Sequence, residues 1–399
     1  MKRVVVVGGG YGGLRCIEGL EKVEELEIVL VDRNPYHYLQ TEAYSYIAGK
    51  SDIYDIAIDL ASWCEGFGRV KFMQMDVEKI DFDAQTVYAN EQSLEYDYLV
   101  VGVGARTNFF SFIEGLREHS HGVKFLSKAY NFRKDFEAVL YEKLNAQSGT
   151  TSESINIAIG GAGLSGVEVA AEMAHTLREY GKTIGTRAKD VNIYLIDASD
   201  TILPGSSTYI IENTMKRLKK LGVNVLTSSF ISRVDADKIL FKDEKELPYH
   251  FMVFTGGIKA APLTNTIECE KNRIGQLIVD EKLNINNFAN AFAIGDCIEV
   301  KDKKGRILPP TAQIAERSAE YVAQSIVAKE KNIEQSSFDA SVMGVFVALG
   351  GSYAVGEMFG FIKVSGYKAY LLKKAITYAY YLGLKLRINT GFKNRKKIL

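Results

Sequence analysis

The stretch that most constrains this chain is its opening. Val4, Val5, Val6 and Val7 form an apolar run that passes straight into Gly8-Gly9-Gly10-Tyr11-Gly12-Gly13. Gly8, Gly10 and Gly13 stand in G-x-G-x-x-G spacing, followed by a helix-compatible segment over residues 14–23 and a second apolar strand over 28–31 that ends on Asp32. Each part has a physical reason. The first glycine permits the tight turn, the second lets the backbone approach a pyrophosphate, the third lets helix pack on strand, and the helix N-terminus offers N–H groups to the phosphates. Asp32 stands where a carboxylate accepts a hydrogen bond from an adenosine ribose. Glycine turns are common, so it is strand, turn, helix, strand and acid in register that make this one specific.

The pattern restarts after a polar linker over residues 147–152. A strand is predicted over 155–159, a second fingerprint at Gly161, Gly163 and Gly166, a helix over 167–177, and a strand over 191–196 that ends on Asp197. Two matches in one chain indicate an internal duplication. Asp197 accepts from a 2′-hydroxyl and repels a 2′-phosphate, and Ala198-Ser199-Asp200 supplies no arginine to hold that phosphate. NADH is therefore favoured over NADPH.

The length of 399 residues allows two or three domains. With 49 basic against 49 acidic residues, no global charge points to nucleic acid. The balance is local, however. No acidic residue follows Glu357, whereas Lys363, Lys368, Lys373, Lys374, Lys385, Arg387, Lys393, Arg395, Lys396 and Lys397 all do. Cys16, Cys64, Cys269 and Cys297 are far apart and read as small buried or semi-buried residues, not as a disulfide framework or redox dithiol. No metal site is expected, since His119 and His121 lack a nearby third ligand and read as surface loop residues. Glycines interrupt the N-terminal apolar run, so it reads as a strand and not a signal peptide. The longest apolar candidate for a membrane span, residues 340–356, is short and rich in glycine.

Elsewhere, residues 51–63 read as one helix with Ile53, Ile56, Ala57 and Leu60 on its buried face. Short strands are predicted over 69–77, 86–89, 98–101, 223–226, 238–241 and 251–254, and a long helix over 129–144. Residues 309–313 open a helix running to about 328, whose positive N-terminus suits negative charge on a reduced flavin. Asp296, at the end of an apolar strand, fits a hydrogen bond to a flavin ribityl or phosphate group.

The succession of two fingerprints, Val100-Val101-Gly102-Val103-Gly104-Ala105, Thr255-Gly256-Gly257-Ile258-Lys259 and Ala293-Ile294-Gly295-Asp296-Cys297 resembles the two-dinucleotide-binding-domain flavoproteins. Within them it is most similar to the type II NADH dehydrogenases, which are single-subunit NADH:quinone oxidoreductases. The likeness extends to the segment from His37-Tyr38-Leu39-Gln40 through Tyr44, to Gly166-Val167-Glu168, and to Leu349-Gly350 through Ala354-Val355. It implies an α/β fold of two Rossmann-like domains in the glutathione-reductase-like arrangement. The FAD domain would span residues 1–115 and 271–330, the inserted NADH domain 116–270, and a C-terminal amphipathic membrane-interface region 331–399. It implies FAD contacts at Gly8, Gly10, Gly13, Asp32, Gly104 and Asp296, and NADH contacts at Gly161, Gly163, Gly166, Asp197 and Gly257. Glu168 would either lie near nicotinamide and flavin or simply complement the helix dipole.

The family's quinone motif A-Q-x-A-x-Q appears as Ala312-Gln313-Ile314-Ala315-Glu316-Arg317, with arginine in the last place. Gln313 and Arg317 share a helix face as catalytic candidates, Arg317 either bonding a quinone carbonyl, offsetting charge on the flavin, or pairing with Glu320. Thr41 and Glu42 replace the usual Pro-Leu. A helix over 367–387 would carry Leu371, Leu372, Ala375, Tyr378, Ala379, Leu382 and Leu386 on one face and Lys373, Lys374 and Thr377 opposite. That pattern suits a helix lying in a membrane interface. The expected place is thus the cytoplasmic side of the plasma membrane, peripherally bound, and removal of residues 367–399 is expected to spare NADH oxidation with a soluble dye. A homodimer is a further expectation that the sequence leaves open. The competing readings are a sulfide:quinone reductase, which needs cysteines at the flavin, a soluble NADH reductase serving another acceptor such as a ferredoxin, and a redox-sensing binding protein.

Overall fold

The computed structural model describes residues 1–89, 91–145, 154–184, 191–286 and 288–390. The linker expected over 147–152 and the cations Lys393, Arg395, Lys396 and Lys397 lie outside these residues. Two parallel sheets organise the chain. The first orders Ala291–Ala293, Tyr98–Val101, Lys2–Val7, Leu26–Asp32 and Val70–Gln74, and the second orders Phe251–Phe254, Ile155–Gly160, Val191–Ile196 and Val223–Leu226. In each, the fingerprint strand lies between the strand ending in aspartate and a strand that returns from later in the chain. Val4, Val5, Val6 and Val7 are buried throughout, which is why this segment is an unbroken apolar run and does not alternate.

The duplication reaches further than the fingerprints. Each unit carries a three-stranded antiparallel meander before its returning strand, Lys79–Asp81, Thr86–Ala89 and Gln92–Glu95 in one, Ile231–Val234, Lys238–Phe241 and Glu246–Pro248 in the other. The chain leaves the first unit after Tyr98–Val101 and rejoins its sheet at Ala291–Ala293, so the second unit is an insertion in the first. Where it crosses, Ala105–Thr107 pairs antiparallel with Ile258–Ala260. The first fingerprint helix, Tyr11–Leu20, packs closely on Ala312–Glu330, for a Cβ on Gly19 would stand 2.6 Å from that of Ala323.

Residues 51–63 are not one helix. Helix Ile53–Ile56, boxed by Asp52 and Asp55, gives way to strand Ala57–Asp59, which pairs with Tyr36–Tyr38, and Asp59 then caps helix Leu60–Glu65 by accepting from Ser62 N at 2.7 Å. Two aspartate caps restart the helix, and the apolar spacing alone could not show the interruption. The second fingerprint helix starts earlier than expected and runs longer, over Leu164–Ile184. Pro309 and Pro310 precede the helix they were expected to open, and its cap is Thr311, whose hydroxyl accepts from Ile314 N. His121 lies against the Phe132 and Phe251 rings and is not a surface loop residue.

A three-stranded sheet, Gly344–Ala348, Ala354–Met358 and Ile362–Gly366, leads into the C-terminal helix Tyr367–Thr390. Its apolar stripe faces away from the protein: Ile376 is 59% and Tyr378 61% exposed, with Leu371, Leu372, Leu382 and Leu386 also exposed. Lys373, Lys374, Tyr380 and the buried Leu384 face inward. Among the described residues no helix is long and apolar enough to cross a membrane.

Candidate functional site

The two glycine turns are built alike down to single hydrogen bonds. Asp32 accepts from Gly9 N and Asn34 N, both at 2.7 Å, and Asp197 accepts from Ala162 N at 2.5 Å and Ser199 N at 2.7 Å. Gly8 and Gly161 adopt φ of +114° and +99°, and a Cβ on either would press into the backbone of the returning strand's exit, Gly102 and Gly256 respectively. A Cβ on Gly13 or Gly166 would fall 1.9 Å from the carbonyl oxygen of Gly8 or Gly161. These four glycines therefore hold the turns in shape.

The middle glycines do something else. A Cβ on Gly10 or Gly163 would meet nothing within 4 Å, and Gly10 provides no side-chain cap for the helix it precedes. Open space stands in front of first-turn amides that lack intrahelical partners, the arrangement a pyrophosphate needs. Both glycines border one continuous cavity of about 920 Å³. Gly8, Asp32, Gly104 and Asp296 line it as well, whereas Gly13, Gly161, Gly166, Asp197 and Gly257 do not. A cavity at the upper end of the usual ligand-pocket range, with one fingerprint turn on each side, fits a flavin dinucleotide with room for a nicotinamide beside it. Lys124, which sequence reasoning did not single out, holds Asp296 at 2.8 Å in the wall of the cavity. The N-terminal end of helix Ala312–Glu330 contributes Ala312 and Ala315 to the wall.

A second element missed from sequence joins the first turn to the C-terminal helix. His37 Nδ1 lies 3.0 Å from Gly9 O, so that nitrogen carries the proton, and Nε2 accepts from the Tyr380 hydroxyl at 3.1 Å. Burial holds the imidazole neutral, its pKa pushed down to about 4. The Tyr380 ring stacks on Tyr11 at 5.0 Å, and Tyr11 meets Thr41 at 2.8 Å.

The charged end of the cavity is made by helix Leu164–Ile184 and the C-terminal helix. Glu168, 5% exposed, accepts from Ala348 N at 2.8 Å and Lys373 Nζ at 2.6 Å. Burial pushes its carboxyl up, and the Lys373 ammonium and the Ala348 N–H pull against that. Glu168 and Lys373 both line the cavity. One turn along, Glu172 accepts from Gly351 N at 3.1 Å and Lys50 Nζ at 3.2 Å.

Gln313 and Arg317 share a helix face, but neither lines the cavity. Gln313 Oε1 accepts from Met343 N at 2.7 Å and Arg317 donates to Ser341 Oγ, while Glu320 is taken by Arg15 and not by Arg317. Between them Glu316 is carried up to about 7 by burial, opposed by Arg15 and reinforced by Glu320 and Glu18. An acid raised in the folded state stabilises below its unfolded value of 4.5 and loses that contribution as pH rises through about 7. Glu316→Gln should therefore raise the melting temperature at pH 8, by on the order of 1 kcal/mol of stability, and leave it nearly unchanged at pH 5. Equal shifts at both pH values would contradict this account.

A family model for the pyridine nucleotide-disulphide oxidoreductases matches residues 2–319. The chain belongs to that family. This pyridine nucleotide-disulphide oxidoreductase is 29% identical over 388 residues to a type II NADH:quinone oxidoreductase of Staphylococcus aureus, covering 94% of each chain. Among solved structures it is similar to NDH2 from Plasmodium falciparum in complex with NADH, at TM-score 0.86 and 18% identity over 99% of this chain and 98% of that one. It is also similar to the sulfide:quinone oxidoreductase of Aquifex aeolicus, at TM-score 0.81 and 20% identity over 99% and 94%. The fold is thus that of the two-dinucleotide-binding flavoproteins. The family's description names a disulphide, yet none of the four cysteines of this oxidoreductase lines the cavity. Burial pushes the Cys16 and Cys64 thiols up to about 12 and Cys297 to about 11, away from thiolate chemistry.

Proposed function

We propose that the protein is an FAD-dependent NADH dehydrogenase that delivers the electrons of NADH to a quinone and pumps no protons. The observation that carries this reading is the single cavity with a dinucleotide turn on each side, in a chain similar over nearly its whole length to a type II NADH:quinone oxidoreductase. When bound, FAD supplies the chemistry: it takes the hydride equivalent of NADH and returns two electrons to the acceptor. The chain's own residues bind and orient. Gly8, Gly10, Asp32, Gly104 and Asp296 with Lys124 hold FAD from the cavity wall. On the NADH side Gly163 borders the cavity, while Gly161 and Gly166 shape its turn and Asp197 and Gly257 stand outside the cavity wall. Asp197 selects NADH by accepting from the adenosine ribose. Glu168 and Lys373 place a carboxylate and its paired ammonium in the wall of the cavity that would hold the reacting rings. Gln313 and Arg317 act at one remove, pinning residues 341–343 ahead of strand Gly344–Ala348, whose last N–H orients Glu168.

The competing sulfide:quinone reductase reading needs cysteines at the flavin, and none stands among the described residues that line the cavity. The deciding experiment is anaerobic titration with NADH and then with a quinone, following flavin absorbance. Bleaching by NADH and recovery with quinone is the expected result. A flavin that NADH does not bleach would end the proposal.

The outward apolar stripe of helix Tyr367–Thr390 supports a bilayer surface as the place of action, and Phe359 and Phe361, in the turn before strand Ile362–Gly366, are exposed as well. A triple variant, Leu372→Glu, Ile376→Glu, Leu382→Glu, should lose flotation with anionic liposomes by about tenfold or more while reducing a soluble dye at the normal rate. Undiminished flotation would leave the stripe without that role.

A further inference from the structure

Beside the Glu168–Lys373 pair lies a second buried pair. Glu42, on the turn Gln40–Glu42, accepts from Lys374 Nζ at 2.7 Å and from the Tyr44 hydroxyl at 3.5 Å, both on Oε2. Its other oxygen, Oε1, is buried without a hydrogen-bond partner. A carboxylate with one orphaned oxygen costs stability, so a purely structural account is incomplete. The three groups also form a graded path. The Lys374 side chain is 32% exposed, that of Glu42 only 7%, and Tyr44 is buried and lines the cavity. Both lysine ammoniums lie over the Tyr44 ring, at 5.3 and 6.0 Å from its centroid.

The overall reaction proposed above needs such a path. NADH, quinone and one proton give NAD+ and quinol: the hydride carries two electrons and one proton, and the second proton must come from water. Resting on that reading, we propose that Lys374, Glu42 and Tyr44 deliver this proton. The Tyr44 O–H bond breaks as a quinol O–H bond forms. The Tyr44 oxygen regains a proton through Glu42 Oε2, which draws it from the Lys374 ammonium, and solvent reprotonates the Lys374 amine. No charge accumulates in the chain after one cycle, and NADH alone is oxidised. Tyr44 touches the acceptor, whereas Glu42 and Lys374 act through it as relay residues. Burial holds the Tyr44 hydroxyl far above its ordinary pKa, so it remains a donor between turnovers.

The test uses the full-length holoprotein in anaerobic stopped flow, with menadione as the quinone and the NADH half-reaction as internal reference. Glu42→Gln keeps size and hydrogen-bonding ability but carries no proton, and it should slow flavin reoxidation by about tenfold or more relative to flavin reduction. In Glu42→Ala, added formate should restore much of the loss, whereas neutral formamide should restore none. The inference is overturned if Glu42→Gln is reoxidised at the wild-type rate, or if formamide rescues as well as formate. Wild-type flavin that menadione fails to reoxidise would instead overturn the quinone reading itself, and this relay with it.

Discussion

Lys373→Met is expected to lower quinone-dependent turnover by about 10²-fold or more and to destabilise the protein by about 3 kcal/mol at pH 8. The reasoning starts from burial. Glu168 has two partners, Lys373 Nζ and Ala348 N, and its pKa is already raised by burial against the pull of both. Methionine fills similar volume but removes the charge, leaving a carboxylate in the cavity floor with one neutral donor. Such a group escapes its cost by taking a proton, so the folded pKa climbs further. The sign follows: stability is retained below the unfolded pKa of 4.5 and lost as pH rises, so the variant should melt increasingly early above neutrality. Adding Glu168→Gln to Lys373→Met should return most of the lost stability, because the double change leaves no unpaired charge, but should not return turnover. Thermal melts at pH 5 and pH 8 with the four proteins of the cycle measure this. A single variant with wild-type melting at pH 8 would show that the pair contributes no electrostatic stabilisation.

What could be read from the sequence was what is local. A fingerprint turn is specified by glycines a few residues apart, and both turns, both aspartates and the parallel strands around them appear in the structure as expected, since their signals lie within one supersecondary unit. The charged end of the site brings together residues more than two hundred positions apart. Lys373 and Glu168 carry no local mark of each other, and a lysine pair opposite an apolar stripe reads as a solvated face. Periodicity correctly separated the two faces of the C-terminal helix but could not say which meets the protein. Here the apolar face points out, the orientation a membrane-interface helix needs, and the basic one points in, to the acids waiting on helix Leu164–Ile184 and turn Gln40–Glu42. Lys124 escaped for the same reason: its partner Asp296 is distant in sequence, and both are set by the cavity. Gln313 and Arg317 were found by pattern, yet their polar ends turn to residues 341–343, because the segment passing over that helix face offers Met343 N and Ser341 Oγ.

Removing residues 367–399 should therefore do more than remove the proposed membrane contact. The sequence alone suggests a dispensable anchor whose loss spares dye reduction. In the structure the same helix supplies Lys373 to Glu168, Lys374 to Glu42 and Tyr380 to His37, and sets the Arg387 guanidinium 3.8 Å from the centre of the Phe67 ring. Deleting it strands two buried carboxylates, each broken pair costing about 3–5 kcal/mol, against a whole-domain stability of about 5–15 kcal/mol. It also frees the His37 ring that braces Gly9, so the first glycine turn, on which the flavin dinucleotide's phosphates depend, loosens. The truncated protein is expected to purify with a strongly reduced ratio of flavin to protein absorbance and with dye reduction below about a tenth of normal. The exposed-face triple variant, which keeps every inward contact, should retain full flavin and dye activity. A truncated protein that stays yellow and reduces dye at the normal rate would mean that the inward lysines and Tyr380 are not needed to hold the site together, and the helix would return to being an anchor alone.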